Sequence, residues 1–215
     1  VSRTVAGAAS LAAIVSALTR ARVFEALAAF DPHHVGTWPI GLAIESSDAD
    51  IAVCAPDLDA FRAMVEQTFG KFSNFTVTAR EGTPPALVTR FMLDEIPVEI
   101  FAAPAPVKQQ NGWRHMMVEA RLLSLAAAEF RTAVLTAKRD GLKNEPAFAH
   151  LLGLTSDPYE AVLALEPKSD KMLGALLESR GYLKPALAPQ PPPHLKLNRP
   201  YTTKAPRKAS SKSFS

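Results

Sequence analysis

The stretch Val35-Gly36-Thr37-Trp38-Pro39-Ile40-Gly41-Leu42-Ala43-Ile44-Glu45-Ser46-Ser47-Asp48-Ala49-Asp50-Ile51-Ala52-Val53-Cys54 carries the reading of this chain. An apolar run broken by Glu45-Ser46-Ser47 gives way to alternating residues from Asp48, which predicts a loop leading into a strand. In an extended chain Asp48 and Asp50 project from one face while Ala49, Ile51 and Val53 point to the other. Two like charges on one face repel and call for a neutralising partner. Carboxylate oxygens suit a hard divalent cation, Mg²⁺ first, shared with substrate phosphates. Asp-x-Asp alone is a weak signal, and by itself reads first as a solvated strand end.

Upstream, Val35-Gly36-Thr37 precedes Asp48 with ten residues between. A glycine beside a hydroxyl can bring backbone N–H groups and an O–H close to a phosphate. Further upstream, Leu11, Val15, Leu18, Arg22, Val23, Leu27 and Phe30 recur at helical spacing, and Asp31-Pro32 ends the pattern. Downstream, Asp57 is an N-cap for a helix placing Leu58, Phe61, Val65 and Phe69 on one face, with Gly70 as its stop. Phe75 to Arg80 alternates as a strand. Ala86–Leu93 and Pro97–Ala102 read as a hairpin around Asp94-Glu95-Ile96. Glu99 falls between Val98 and Ile100, an acid placed in an otherwise apolar strand. Helices follow around 109–139, 145–152, 157–165 and 169–180, with Gly181 capping the last. The class is α+β, a mixed sheet with flanking helices and a C-terminal helical subdomain.

The 215 residues are ample for a real core. One cysteine, Cys54, excludes an internal disulfide and a Cys-rich metal module, so a reducing, cytoplasmic setting is expected. The uncharged, Ala-rich stretch from Val5 to Thr19 reads as helix rather than signal peptide, and no transmembrane segment is expected. The pI near 9.1 comes from the end of the chain. From Lys184 onward lie seven of the 24 basic residues and no acid, so the rest is net acidic. With Pro191-Pro192-Pro193 and a Ser/Lys run, 184–215 reads as a basic, Pro-rich disordered tail able to make weak contacts with nucleic acid or an anionic surface.

Apolar-Gly-Thr, a ten-residue gap, Asp-Ala-Asp-Ile and later Val-Glu-Ile resemble the nucleotidyltransferase-fold signature. Four segments narrow the resemblance: Val35 to Leu42, Glu45-Ser46-Ser47-Asp48-Ala49-Asp50-Ile51, Gln109-Gln110-Asn111-Gly112-Trp113-Arg114-His115-Met116, and Leu142-Lys143-Asn144-Glu145-Pro146-Ala147-Phe148. They resemble an uncharacterised bacterial domain-of-unknown-function family (DUF 4269) in the nucleotidyltransferase-like superfamily, from about residue 17 to about 183. The resemblance implies an N-terminal extension at 1–16, a nucleotidyltransferase-like core at 17–105 and a helical subdomain at 106–183 closing one side of a cleft. It also implies phosphate contacts from Gly36 and Thr37, with Ser47, Arg114 and His115 as further nucleotide contacts, and Mg²⁺ on Asp48 and Asp50. Glu99 would activate the acceptor hydroxyl or complete the metal shell. The activity implied is Mg²⁺-dependent transfer of a nucleoside monophosphate from an NTP to an acceptor hydroxyl. Trp38-Pro39-Ile40-Gly41 carries no charge where many members place a basic residue.

On the predicted helix, Asn111, His115 and Glu119 fall at i, i+4 and i+8 and share one face, with Gln110, Arg114 and Arg121 close by. Glu119 could orient His115 for proton transfer and Arg114 could meet a phosphate, or the face is a solvated one with an ordinary ion pair. Lys143 and Glu145 read as an inter-helix pair or helix start, with Lys143 a secondary site candidate. Cys54 reads as a core cysteine, His33-His34 as surface loop, and Met116-Met117 as core-facing helix. Two alternatives stand beside the transferase: a catalytically silent nucleotide-sensing or protein-interaction module, and, third, an Asp-x-Asp glycosyltransferase, for which the chain leaves little room.

Overall fold

The computed structural model describes residues 11–82 and 84–184. The basic tail from 185 and the first residues of the N-terminal extension lie outside the described residues. Five strands form one mixed sheet in the order β1-β2-β5-β4-β3, with β1 His33–Val35, β2 Ala49–Cys54, β3 Thr76–Arg80, β4 Ala86–Leu93 and β5 Ile96–Ala103. β2 and β5 pair in parallel and every other neighbouring pair is antiparallel. The expected mixed α+β architecture is present. β4 and β5 form the hairpin, turning at Asp94, which takes a left-handed conformation at φ 54°. β1 corrects the reading of His33-His34 as surface loop: both are strand residues and half-buried.

One face of the sheet is dry. Ala49, Ile51 and Val53 are fully buried against α1 Leu11–Arg20, α2 Val23–Ala26 and α3 Leu58–Phe69, whose Phe61, Val65 and Phe69 are also fully buried. Alternation along β2 is the cause, because each odd-numbered side chain leaves on this face. Asp57 caps α3 as expected, its Oδ1 accepting from the N–H groups of Asp59 and Ala60. The N-terminal helix is not continuous: Arg22 adopts φ 53° between α1 and α2.

The remaining helices gather around a second core: α4 Asn111–Leu125, α5 Ala128–Arg139, α6 Asn144–Leu152, α7 Pro158–Leu163 and α8 Asp170–Ser179. The single helix expected over 109–139 is two. Residues 126–127 are pulled out of helical geometry by the chain beyond α8, where Ala126 bridges Leu183, Ala127 N–H donates to Tyr182 O at 2.7 Å and Lys184 N–H donates to Leu125 O at 3.2 Å. A small cluster of Val35, Ala52, Val107 and Met116 seals the inner end between sheet and α4. Met116 is core-facing, but Met117 is 43% exposed, a correction that follows from one residue of helical rotation.

Candidate active site

The other face of the sheet is wet. In the parallel ladder Asp50 is the partner of Glu99, and the row continues outward, with Val35 opposite Asp50 and Arg90 opposite Glu99. Cross-strand partners share a face, so two acids and a base stand side by side. Arg90 Nη2 forms an ion pair with Glu99 Oε2 at 2.6 Å. Above Asp50 the chain passes so close that a Cβ on Gly36 would collide with the Asp50 carboxylate, and Gly36 also has φ +74°. Only glycine permits that approach. Asp48 precedes β2 rather than belonging to it, in the segment that delivers the strand.

Asp50 and Glu99 border a cleft of about 830 Å³ whose opposite wall includes Asn111, His115, Glu119, Asn144 and Glu145. The i, i+4, i+8 face of α4 therefore looks into the cleft as the spacing required. Arg80 from the sheet side and Lys143 from the helical side are exposed cations on its border. Thr37, Ser47, Asp48 and Arg114 do not border it.

The electrostatics are those of crowded acids. Burial, then Glu99 and Asp48, push the Asp50 carboxyl up to about 7 against the pull of Lys138. Burial and then Glu99 also raise Asp48, opposed by Arg90 and Lys143. Across the cleft, burial and Glu145 push Glu119 up to about 8. Burial lowers Lys138 to about 8, although Glu119, Asp50 and Glu145 all favour its charged form.

Lys138 is 6% exposed, and its Nζ donates to Leu42 O at 2.6 Å. One face of α5 thus holds the loop after Gly36 by its carbonyls, since Arg131 Nη1 donates to Ile40 O at 2.7 Å and to Gly41 O at 3.0 Å. Neither cation was legible as part of the site, because both sit on a helix whose local sequence resembles a solvated surface. Their i, i+7 spacing is the only sequence signal that they act on the same target.

Several expected roles are corrected. Arg114 turns away to Glu166, donating from Nη2 at 2.6 Å and from Nε at 3.0 Å. Ser47 closes a turn, its Oγ accepting from Ile44 N–H at 2.9 Å. The Thr37 hydroxyl is buried with no hydrogen-bond partner and is not in the cleft wall. Glu119 does not orient His115. Instead His115 Nδ1 faces Glu145 Oε1 at 3.3 Å and Nε2 meets Tyr159 O at 3.0 Å, so both ring nitrogens are engaged with oxygen acceptors. The ring is thus anchored by Tyr159 and faces Glu145, not Glu119. Of the two readings of Lys143 and Glu145, the helix start is present, with Lys143 at the N-cap and Glu145 in the first turn of α6, and Glu145 also reaches His115 on α4. Asn111 Oδ1 accepts from Arg114 at 3.3 Å. Cys54 is half-buried, its Sγ 3.4 Å from Pro104 O.

The three acids expected to share a metal are not closed up on one point. Among the described residues no group of three or more His, Cys, Asp or Glu side chains is arranged to hold a metal ion. In the sheet Arg90 is directly opposite Glu99 and pairs with its carboxylate, so Glu99 already has a cationic partner. Asp48 and Asp50 remain an all-oxygen donor pair with raised carboxyls, a chemistry that fits Mg²⁺. Among the described residues no helix is long and apolar enough to cross a membrane.

No curated protein matches the sequence significantly. Among solved structures, a cytoplasmic RNA terminal U-transferase aligns with a TM-score of 0.46 at 16% identity, covering 71% of this chain and 45% of its own. The GLD-2/RNP-8 complex gives 0.47 at 18%, covering 80% and 64%. The polymerase core of TRAMP, an RNA surveillance complex, gives 0.43 at 14%, covering 78% and 56%. The chain spans about half the length of the structures it resembles. The family profile described as Domain of unknown function (DUF4269) matches residues 16–165, most of the chain, and the protein belongs to that family.

Proposed function

We propose that this protein is a nucleotidyltransferase that moves a nucleoside monophosphate from an NTP to an acceptor hydroxyl, with residues 17–105 as its core and 106–183 closing the cleft. The observation that carries this reading is the in-register Asp50–Glu99 pair beneath Gly36. Asp50 on the cleft wall, with Asp48 just ahead of β2, would supply oxygen donors for Mg²⁺, and nucleotide phosphates would supply the rest. Bound there, the ion would offset charge on the reacting phosphoryl oxygens. Gly36 lets the backbone approach a phosphate, and Lys143 and Arg80 provide the cations missing after Gly36-Thr37. Glu99, oriented by Arg90, takes the proton of the acceptor hydroxyl as its oxygen attacks the α-phosphorus and pyrophosphate leaves.

The Arg90–Glu99 pair also favours a second reading, a nucleotide-sensing module without turnover, because an acid held by arginine is less available as a base. Thermal melts with Mg²⁺-ATP or Mg²⁺-GTP test the site. Wild type should gain stability and Asp50→Asn should lose that gain. Equal gains in both proteins overturn the site. Pyrophosphate release with candidate hydroxyl acceptors then separates enzyme from sensor.

A further inference from the structure

Glu119 is 1% exposed, and Asn144 Nδ2 donates to its Oε2 at 2.9 Å. The other oxygen of each group, Glu119 Oε1 and Asn144 Oδ1, is buried without a hydrogen-bond partner, and both residues border the cleft. Because one bond already ties the two groups together, the idle oxygens occupy the same short stretch of wall. Native proteins seldom leave one buried acceptor unsatisfied, and two in neighbouring groups are rarer still.

The polar side chains around them are aimed at other groups: Lys138 Nζ donates to Leu42 O, His115 Nε2 meets Tyr159 O, and Arg131 holds Ile40 O and Gly41 O. Neither idle oxygen receives a hydrogen bond from the protein, which leaves both to a donor pair brought from outside. The potential has a sign as well: burial and Glu145 push the Glu119 carboxyl up to about 8, which marks surroundings that reward positive charge. Ionised, as a bound cation would favour, the Glu119 carboxylate oxygen beside the Asn144 amide oxygen matches two parallel N–H groups on adjacent nitrogens of one planar group.

We propose that Glu119 and Asn144 form a subsite for a guanidine-type edge, two N–H donors on neighbouring nitrogens. Two ligands carry that edge: a guanidinium group on the acceptor, or the N1–H and N2–H₂ edge of guanine in the nucleotide. Adenine and uracil set an acceptor beside their donor, so either would place acceptor against acceptor. A site built on paired acceptors discriminates strongly against that arrangement. The guanine arm rests on the nucleotidyltransferase reading, whereas the guanidinium arm needs neither nucleotide nor metal.

Agmatine binding by calorimetry, without nucleotide, probes the guanidinium source, and the affinities of Mg²⁺-GTP, Mg²⁺-ATP and Mg²⁺-UTP probe the guanine source. Glu119→Gln keeps shape but turns an amide donor toward the cleft, so affinity for the matching probe should fall about tenfold or more. Preference among the nucleotides should shift away from GTP. Asn144→Ala, at a half-buried helix position, should weaken the same probe without reversing preference, and it keeps the test open if Glu119→Gln folds poorly. Agmatine binding lost in these variants but retained in Asp50→Asn supports the subsite even if the Mg²⁺-nucleotide response is absent. No agmatine binding together with equal affinity for the three nucleotides overturns the proposal, and buried water then satisfies the two oxygens.

Discussion

The two faces of β2 differ in what they bury. Toward α1, α2 and α3, Ala49, Ile51 and Val53 enter a cluster made only of apolar side chains. Toward α4 and α6, Asp50 enters a cleft whose far wall holds His115 and Glu119, both nearly fully buried, with buried Lys138 on α5 beyond. The first face provides transfer free energy without any pairing requirement. On the second, every buried polar group must find a partner, and those that do not are what the cleft offers to a ligand. Stability and chemistry are thus placed on opposite sides of one sheet.

Truncation on the dry face should have the largest effect. Phe69 is fully buried and stacks on Phe91 with ring centroids 5.0 Å apart. Phe69→Ala should cost about 3–5 kcal/mol by denaturant unfolding. A loss under 1 kcal/mol would break the contrast between the faces.

The wet face should show itself in pH dependence. Asp50 and Glu119 bind their protons more tightly folded than unfolded, with values near 7 and 8 against 3.8 and 4.5. Their contribution to stability is present in acid and disappears as pH climbs through 7 to 8. Lys138 is lowered from 10.5 to about 8, so the unfolded chain holds that proton more tightly and rising pH favours folding between those values. The cluster's contribution is therefore least favourable near pH 8. Compared with Asp50→Asn/Glu119→Gln, wild type should lose on the order of 2–4 kcal/mol of relative stability between pH 4 and pH 8. A flat difference curve would show that these carboxyls are solvated.

Lys138→Met sharpens the comparison at the seam between the regions. It removes the donor to Leu42 O and the cation facing Asp50 and Glu119. The expected cost at neutral pH is about 1–3 kcal/mol, with the Asp50 carboxyl rising further in carbon-detected NMR titration. The smallest effect belongs to Arg90→Gln. Its pair with Glu99 is half-exposed, so stability should change by less than about 1 kcal/mol. Release of Glu99 should nevertheless raise Asp48, on which Arg90 acts directly.

Much of the sheet was legible because its signals are local. The alternation of β2, the Asp57 cap and the β4–β5 turn each depend on residues a few positions apart. The three-residue β1 was not, since a strand that short exists only by pairing: His34 lies opposite Ile51 and Val35 opposite Asp50. Nor was the break between α4 and α5. Ala126-Ala127-Ala128 has the strongest helix propensity available, and only the distant Tyr182 and Leu183 override it.

For the site, sequence alone determined that Asp50 would leave β2 on the face opposite Ile51, that Asn111, His115 and Glu119 would share one helical face, and that Gly36 leaves its backbone open to close approach. These follow from the periods of strand and helix and from the lack of a Cβ. Tertiary structure decided which partners those groups meet. Arg90 lies opposite Glu99 because of strand register, Glu145 takes His115 because α6 packs beside that wall, and Lys138 is buried because α5 crosses the Gly36–Leu42 loop. Periodicity fixes the direction in which a side chain leaves the backbone, whereas its charge environment is set by elements dozens of residues away.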